Sequence, residues 1–346
     1  MRPQLDALRC LAVSAVLFSH YLAPDTPAGE RGVDLFFTIS GFLITSILLE
    51  ARAGAEQRGS GALSRAWRSF VIRRALRIFP AYYVVIAGAA VLSEGAAAAW
   101  AWHATFLTNF WQSVDGGWGP RSVAHCWSLC VEEQFYLLWP MVVLFLPRRC
   151  FLPIVCLLML SGFEWEEGWA LERLAAVGVD VPDFYMTLPP RAFPTLGLGA
   201  LMAWSHHRGV GFPAPRPLAS AAALAWLGLD GCGVLVGLPS ALVASASLVS
   251  GGVLLAAGVR GRLGVAADVV SVRYLGRISY GIYLYHMPVL AVVLRVFRGS
   301  GLGQTLEIAV VALVSTLVTV AVAAASWRFF EAPINRWKSR FPYVAD

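Results

Sequence analysis

The stretch LDALRCLAVSAVLFSH, residues 5–20, has the composition of a membrane-spanning helix but contains two polar side chains, Arg9 and His20. Ionisable residues inside a span are energetically costly and usually serve a function. On an α-helix, a separation of about eleven residues corresponds to about three turns and about 16 Å of rise. We therefore expect both side chains on nearly the same face, with one near each end of the first span.

The composition of the whole chain is that of an integral membrane protein. Of its 346 residues, 58% are hydrophobic and only 14% are charged, whereas a soluble domain carries about 25% charged residues. The net charge of +6 does not indicate nucleic-acid binding, because the basic residues lie between apolar segments, where they set membrane orientation. The sequence contains neither a CxxC pair nor an HExxH motif, and we expect no metal or prosthetic group.

Windows of about 20 apolar residues predict an all-α, polytopic fold with about ten membrane-spanning helices. We expect one membrane domain over residues 1–346. The predicted spans are 5–23, 33–50, 79–94, 127–146, 151–163, 190–205, 217–236, 240–258, 275–296 and 305–327. Segment 95–124 is rich in Trp, Gly and Asn, so we interpret it as an interfacial or re-entrant loop.

The distribution of arginine and lysine predicts that both termini are cytoplasmic. With this orientation most of the 27 basic residues face the cytoplasm, as the positive-inside rule requires. The Arg-rich loop 51–78 is then cytoplasmic, and loops 95–124 and 164–189 are extracytoplasmic.

Polar side chains from three predicted helices are expected at the outer end of the bundle. The first helix ends there with His20, and the second begins there with Asp34. The fourth begins with HCWSLCVEEQFY, residues 125–136, which contributes His125, Ser128, Glu132 and Glu133. For a single such residue, a structural interhelical hydrogen bond is an equally good interpretation, but convergence from three helices favours a functional site.

A second polar group is expected at the inner end, where Arg73, Arg74 and Arg77 precede the third span. Arg73 and Arg77 are four residues apart and share a helical face. Alone, such a cluster is best explained as a topology signal that contacts lipid headgroups. Together with Arg9 it favours a phosphorylated ligand, because guanidinium groups bind phosphate with paired hydrogen bonds.

Six segments resemble the motifs of the membrane acyltransferase-3 family, in the expected order and over nearly the whole chain. They are Arg9–x10–His20, GVDLFFTISGFLIT (32–45), RRALRIFPAYY (73–83), HCWSLCVEEQFYLLWP (125–140), LGRISYGIYLYHMPV (275–289) and FFEAPINRW (329–337). The chain is similar to the stand-alone form of the family, without an extracytoplasmic SGNH-type hydrolase domain. Around Arg191 it departs from the family pattern, since Pro and Thr stand where relatives often have an acidic residue.

The resemblance implies a multi-pass protein of the bacterial plasma (inner) membrane that transfers acyl groups. The expected donor is acyl-CoA, most often acetyl-CoA, and the expected acceptor is a hydroxyl of a lipid-linked or exported carbohydrate. Carried over to this chain, the family motifs assign donor binding to Arg9, Arg73, Arg74 and Arg77. We expect acceptor binding by His125, Trp127, Ser128 and His286, and contact with membrane lipid around the spans.

The implied mechanism places the CoA phosphates on the inner arginines and the thioester near His20. His20 would act as general base on the acceptor hydroxyl or as an acyl-carrying nucleophile. A carboxylate would orient the imidazole. Glu132 is favoured because it matches the family's WSLxxE element, and Glu133 and Asp34 are the other candidates. We expect Glu133 to face a neighbouring helix and pair with a hydrogen-bond donor.

Two other functions fit parts of the same pattern. One is acylation of a small molecule such as a macrolide. The other, from a different class, is a transporter or flippase of lipid-linked sugars that uses the polar residues as a translocation path. An inverted hydropathy repeat would favour transport, and the sequence contains none that we detect.

Overall fold

The structure, a computed structural model, describes residues 3–59, 61–166, 168–179, 182, 184–211, 214–236, 240–298, 301 and 303–343. It is all-helical over these residues. The α-helices are α1 (Pro3–Tyr21), α2 (Ala28–Glu56), α3 (Ala62–Leu92), α4 (Glu94–Ala98), α5 (Trp100–Ala104), α6 (Thr108–Asp115), α7 (Cys126–Phe145), α8 (Phe151–Glu166), α9 (Trp169–Ala176), α10 (Phe193–His207), α11 (Arg216–Val236), α12 (Ser240–Val259), α13 (Val270–Arg277), α14 (Ser279–Phe297), α15 (Gln304–Ser326) and α16 (Ala332–Arg336). Short 3-10 turns occur at Arg148–Cys150, Tyr185–Thr187, Pro189–Ala192, Val265–Asp268 and Trp337–Arg340, and a π-helical turn at Trp327–Glu331.

Each predicted span overlaps a helix, although span 275–296 is divided between α13 and α14, and the all-α class is confirmed over the described residues. Within the described ranges, five helical segments are long and apolar enough to cross a membrane. They are α2, α3, α7, α14 and the continuous run Gln304–Arg340 that contains α15 and α16. The stretch Ser245–Val259 of α12 is apolar but shorter. The full count of ten spans and the orientation of the termini stay predictions.

The predicted cytoplasmic loop 51–78 is mostly helix. Helix α2 continues to Glu56 and α3 already begins at Ala62, so only a short turn joins them. The reason is that Ala, Leu and Arg are strong helix formers. The charge of the arginines interrupts the apolar sequence pattern but does not end the helix.

The helices form two compact units that interleave along the chain. The first unit contains Met1–Leu43, Val155–Val179 and Pro190–Tyr283, and the second contains Ile44–Ile154, Asp180–Pro189 and Leu284–Asp346. Helices α2, α8 and α14 each contribute residues to both units.

In the first unit, α2 and α10 touch through their backbones at two glycines. A Cβ on Gly41 would collide with the carbonyl oxygen of Leu196, and a Cβ on Gly199 would collide with the carbonyl oxygen of Thr38. Small residues allow such close helix packing, as is usual in membrane bundles. This contact sets α10, and the turn that precedes it, against the first half of α2.

In the second unit, contacts at one end bring together segments that are predicted to be cytoplasmic. Nη1 of Arg52, in the last turns of α2, donates to the carbonyl oxygen of Leu146 at 2.7 Å. Nη1 of Arg73, in the first half of α3, donates to the carbonyl oxygen of Phe341 at 3.1 Å. The end of α2 therefore contacts the end of α7, and α3 contacts the C-terminal segment. The side of the membrane on which these segments lie stays a prediction.

The predicted loop 95–124 of the second unit contains three short helices, α4, α5 and α6, which bury polar side chains. Nδ2 of Asn109 donates to Oε1 of Gln134 at 3.3 Å, and Nε2 of Gln134 donates to Oδ1 of Asn109 at 3.0 Å. The connection at Phe106 has a positive φ of 56°, which is unusual for a bulky residue. Its ring stacks on Tyr82 at 4.3 Å between centroids, and this packing stabilises the strained backbone.

His103 is the titratable group of this segment. It is 1% exposed, its Nδ1 lies 2.8 Å from Oγ1 of Thr108, and its Nε2 is buried without a hydrogen-bond partner among the described residues. Burial lowers the pKa of His103 from 6.5 to about 4. The imidazole is therefore neutral at physiological pH.

Acidification should destabilise the protein through His103. Because its folded-state pKa is lowered, its contribution is complete above about pH 6.5 and is lost as the pH falls towards about 4. We expect the wild-type midpoint of thermal unfolding to fall by about 3 °C more than that of His103→Gln between about pH 7 and about pH 5. An exposed histidine, varied as His207→Gln, is the matched control; equal shifts in the wild type and both variants would contradict the prediction.

Candidate active site

Helix α1 of the first unit carries the two polar residues that the sequence singled out. The Arg9 guanidinium donates to Oδ1 of Asp6, one turn earlier, at 2.9 Å; Asp6 is buried and Arg9 is part-exposed. His20 lies at the other end of α1 and is exposed. The helix therefore separates the two groups along its length, as predicted, and the structure adds a carboxylate partner for Arg9.

Asp34 lies between two guanidinium groups of the first unit. Its Oδ1 accepts from Nη1 of Arg191 at 3.1 Å, and its Oδ2 forms an ion pair with Arg31 at 3.5 Å. Arg191 also donates to Oε2 of Glu30 at 3.1 Å. Arg191 is only 9% exposed, so its charge depends on these two carboxylates of α2.

The sequence reasoning missed Arg191. It stands in the PPR turn before α10, in a segment to which no role was assigned. An arginine after a proline pair at the outer rim of a span was the available signal. Its partners lie more than 150 positions earlier in the chain, so the pairing itself was not visible.

A narrow cavity of about 20 Å³ lies beside Asp34 in the first unit. Its polar lining residues include Thr38, Thr195 and Ser247, and Trp226 closes an apolar side. A volume of this size holds about one water molecule. The cavity is therefore suited to hydrating the ion pair, and it is too small for a sugar.

In the second unit, the predicted phosphate-binding arginines in the first half of α3 have protein partners. Nη1 of Arg73 donates to the carbonyl oxygens of Lys338 at 2.8 Å and Phe341 at 3.1 Å. The guanidinium of Arg74 lies 5.7 Å from the ring centres of both Phe70 and Tyr136. Arg77 is half-buried and also interacts with other residues.

Two of the predicted acceptor-binding residues come together in the second unit. The rings of His125 and His286 pack edge to face with centroids 4.7 Å apart. His125 is 4% exposed and His286 is fully buried, and Nε2 of His125 lies 3.1 Å from the carbonyl oxygen of Leu284. This contact joins the start of α7 to α14. Trp127 and Ser128 are buried in the first turn of α7, where the Ser128 hydroxyl donates to the carbonyl oxygen of His125 at 3.2 Å.

The adjacent carboxylates Glu132 and Glu133 lie in the middle of α7. Oε1 of Glu133 is buried and has no hydrogen-bond partner within the described part of the chain. Tyr136, three residues on and therefore on the same face, packs against Arg74 of α3. The expected donor to Glu133 is thus not found at Oε1, although the residue does face the neighbouring helix.

A further buried carboxylate, Glu331, was not assigned a role by sequence. The Tyr285 hydroxyl lies 2.9 Å from Oγ of Ser326, which donates to Oε1 of Glu331 at 2.8 Å. Glu331 is 5% exposed and ends the π-helical turn Trp327–Glu331. Such turns are frequent at functional sites. The motif FFEAPINRW was a resemblance signal that pointed to this position.

The structure therefore places the predicted site residues in several separate groups. The described residues contain no cluster of three His, Cys, Asp or Glu side chains suited to a metal ion. The expected meeting of His20 with Glu132, and that of Arg9 with the α3 arginines, join residues of both units and stay predictions of the sequence.

Asp34 and Arg191 should depend on each other for stability. Asp34→Asn and Arg191→Met should each lower the free energy of unfolding by about 3 kcal/mol, because each leaves a buried charge without its partner. The double variant should lose less than the sum. Thermal unfolding of the four proteins measures this coupling, with Glu30→Gln, at the exposed end of the network, as control. Normal stability of Asp34→Asn combined with lost activity would instead support the catalytic role.

Comparisons with known proteins agree with this arrangement of motifs. Residues 2–328 match the model of the acyltransferase-3 family, described as an acyltransferase domain. The chain is 30% identical to the peptidoglycan O-acetyltransferase OatA of Listeria monocytogenes, over 96% of this chain and 56% of that protein. It is 28% identical to YrhL of Bacillus subtilis, a putative peptidoglycan O-acetyltransferase, and 26% identical to the O-acetyltransferase OatA of Staphylococcus aureus.

The alignments to these two cover 96% of this chain and 55% and 57% of the relatives, respectively. The chain therefore spans a little over half the length of the curated relatives it matches. No solved structure matches it significantly. The family match extends from the first predicted span to the last and contains the His20, Arg73 and Glu132 motifs. This chain is a member of the acyltransferase-3 family.

Proposed function

We propose that this chain is a membrane O-acetyltransferase that modifies a cell-surface carbohydrate. The observation that carries the proposal is the alignment of 96% of the chain with peptidoglycan O-acetyltransferases, within a family match over residues 2–328. The acceptor is a hydroxyl of a cell-wall or exported glycan. The donor is acetyl-CoA from the cytoplasm, and the enzyme works in the bacterial plasma membrane.

The reaction replaces a thioester with an oxygen ester. The acceptor hydroxyl attacks the acetyl carbonyl carbon, a C–O bond forms, and the C–S bond to CoA breaks. His20 accepts the hydroxyl proton, which then passes to the departing thiolate. In the two-step form, the imidazole first carries the acetyl group as an acyl-imidazole, and the acceptor hydroxyl takes it in the second step.

The exposure of His20 supports its assignment to the reacting group, because an exposed imidazole is accessible to substrates. Glu132 is the proposed orienting carboxylate. Asp34 is the weaker candidate, since its two oxygens already interact with Arg191 and Arg31. The proposed acceptor-binding group consists of His125 and His286 with Trp127 and Ser128 beside them.

The proposed donor-binding group is Arg9 with Arg73, Arg74 and Arg77 of α3. Arg9 has one carboxylate partner, Asp6, and is part-exposed. Arg73 binds the carbonyl oxygens of the C-terminal segment. We therefore assign to Arg73 the positioning of that segment, and to Arg9, Arg74 and Arg77 the direct contact with phosphate.

The family match favours acyl transfer over the transporter alternative. The names of the relatives favour a cell-wall carbohydrate over a small-molecule acceptor such as a macrolide. Mass spectrometry of cell-wall glycan tests the proposal directly. A strain that lacks the gene should lose O-linked acetyl groups, and the wild-type gene should restore them. Unchanged acetylation in the deletion strain would contradict the assignment.

His20→Ala should abolish acetyl transfer without changing the amount of protein in the membrane. General acid–base catalysis is worth about 10²–10⁴-fold, so less than about 1% of wild-type activity should remain. Acetyl release from labelled acetyl-CoA in membranes measures the loss, and immunoblotting measures the protein. His207→Ala, at the exposed end of α10, is the matched control. Activity above about a tenth of wild type would exclude both roles of His20.

Glu132 and Glu133 should differ when each is replaced by glutamine. Adjacent helical residues point about 100° apart, so only one of them faces the reacting group. Glu132→Gln should lose about 10²-fold in turnover while keeping its folded amount and its affinity for donor. Glu133→Gln should keep turnover within a few-fold, because glutamine removes the cost of burying a charge at this site. The opposite pattern would assign the orienting role to Glu133.

A further inference from the structure

The second unit contains a basic pocket of about 320 Å³ on the side where α2 ends and α3 begins. We call it the arginine pocket. Its polar lining comes from four arginines, a serine and a tyrosine, and the remaining lining residues are apolar. The lining residues are Ala55, Arg58, Ala62, Arg65, Arg68, Ser69, Arg340, Phe341, Pro342 and Tyr343.

Among the described residues that line the arginine pocket there is no carboxylate. Glu56, two residues before Arg58, does not neutralise the pocket arginines, because it forms ion pairs with Arg52 and Arg148. Within the described part of the chain, Arg58, Arg65 and Arg68 form no ion pair. Four like charges around one cavity repel one another, and an anion in the cavity removes that repulsion.

The wall of the pocket is held in place by a residue outside it. Arg73 binds the C-terminal segment through the carbonyl oxygens of Lys338 and Phe341, and its guanidinium lies 4.5 Å from the centre of the Tyr343 ring. Ser69 lies one helical turn before Arg73, on the same face of α3. The cavity is therefore preformed, and ligand binding does not have to order the C-terminal segment.

We propose that the arginine pocket binds the adenosine 3′-phosphate end of the acyl donor, in addition to the contacts assigned above to Arg9, Arg74 and Arg77 with its other phosphates. Guanidinium groups recognise phosphate oxygens with paired, charge-assisted hydrogen bonds. A volume of about 320 Å³ is at the lower end of small-molecule pockets, which suits one phosphorylated end of a longer ligand. This inference rests on the proposed function, in which the donor is acyl-CoA with its adenosine 3′-phosphate and 5′-diphosphate.

An anionic lipid headgroup presents the same phosphate chemistry. Basic pockets between membrane helices also bind phosphorylated headgroups, so the concave shape fits both ligands. We favour the soluble nucleotide because the proposed function requires a phosphorylated donor. The two sources are separated by testing a soluble nucleotide in the absence of anionic lipid.

The experiment measures binding of adenosine 3′,5′-bisphosphate to the full-length protein in a neutral detergent, by calorimetry. The variants are Arg65→Ala, Arg68→Ala, Arg340→Ala and the charge-retaining Arg68→Lys. The matched control is Arg336→Ala, which removes an exposed arginine of the C-terminal segment that does not line the pocket. Thermal unfolding and elution volume identify any variant that fails to fold, and the remaining variants then decide.

Each alanine variant in the pocket should lose about tenfold in affinity, which corresponds to one charge-assisted hydrogen bond. Arg68→Lys should recover part of this loss, and Arg336→Ala should bind as the wild type does. Wild-type affinity in all three alanine variants would overturn the proposal. So would variants that bind the nucleotide normally but lose binding to vesicles containing phosphatidylglycerol, because the pocket would then be a lipid site.

Acetyl transfer from acetyl-CoA, measured on the same proteins, keeps the two proposals apart. His20→Ala should bind the nucleotide normally, because His20 belongs to the transfer step. Nucleotide binding that depends on the pocket, in a wild-type protein that transfers no acetyl group, would reject the proposed function and support the pocket. Acetyl transfer that is unchanged in the arginine variants at low donor concentration would reject the pocket and leave the proposed function intact.

Discussion

Burying a charge among apolar helices costs several kcal/mol unless an opposite charge or a hydrogen-bond partner lies beside it. This cost explains which polar side chains of the protein meet. In the first unit, Asp34 lies between Arg31 and Arg191, and Arg9 pairs with Asp6. The Arg9–Asp6 pair joins successive turns of α1, and the Arg191–Asp34 pair joins the turn before α10 to α2. The turn before α10 therefore lies against α2, and the backbone contact at Gly41 and Gly199 continues the same interface towards the middle of the unit.

The second unit meets the same cost differently, since several of its arginines bind backbone carbonyl groups. Arg52 donates to the carbonyl oxygens at the end of α7, which has no intrahelical partner for them, and Arg73 donates to the C-terminal segment. Arg52 and Arg73, which resemble topology signals in the sequence, therefore have a structural role. The arginines of the arginine pocket differ from these. They line a cavity, and the described lining residues include no carboxylate.

In the proposed enzyme, the residues for acyl transfer and for donor binding lie at opposite ends of α1. His20 lies at one end of α1 and Arg9 near the other, so the rigid helix determines the distance between them. The histidine pair of α7 and α14 and the polar chain from Tyr285 to Glu331 are built on long helices, not on flexible connections. Side chains held on rigid elements keep reacting groups at constant distances, and rate depends steeply on such distances.

The sequence by itself determined where the helices lie, which residues carry polar groups into them, and the family to which the chain belongs. Apolar windows and helical periodicity are local properties, so α1, α7 and α14 were predicted within a few residues. Only the tertiary structure decided the partners. Arg191 meets Asp34 across 157 positions, and Arg73 meets Phe341 across 268. Local patterns contain no information on such pairs, because the partner is selected by packing and by the energy of burying the charge. The helical character of 51–78 and the short helices of 95–124 were missed for a related reason. Their backbones are stabilised by helix-forming polar residues and by buried side-chain hydrogen bonds, which an apolar window does not detect.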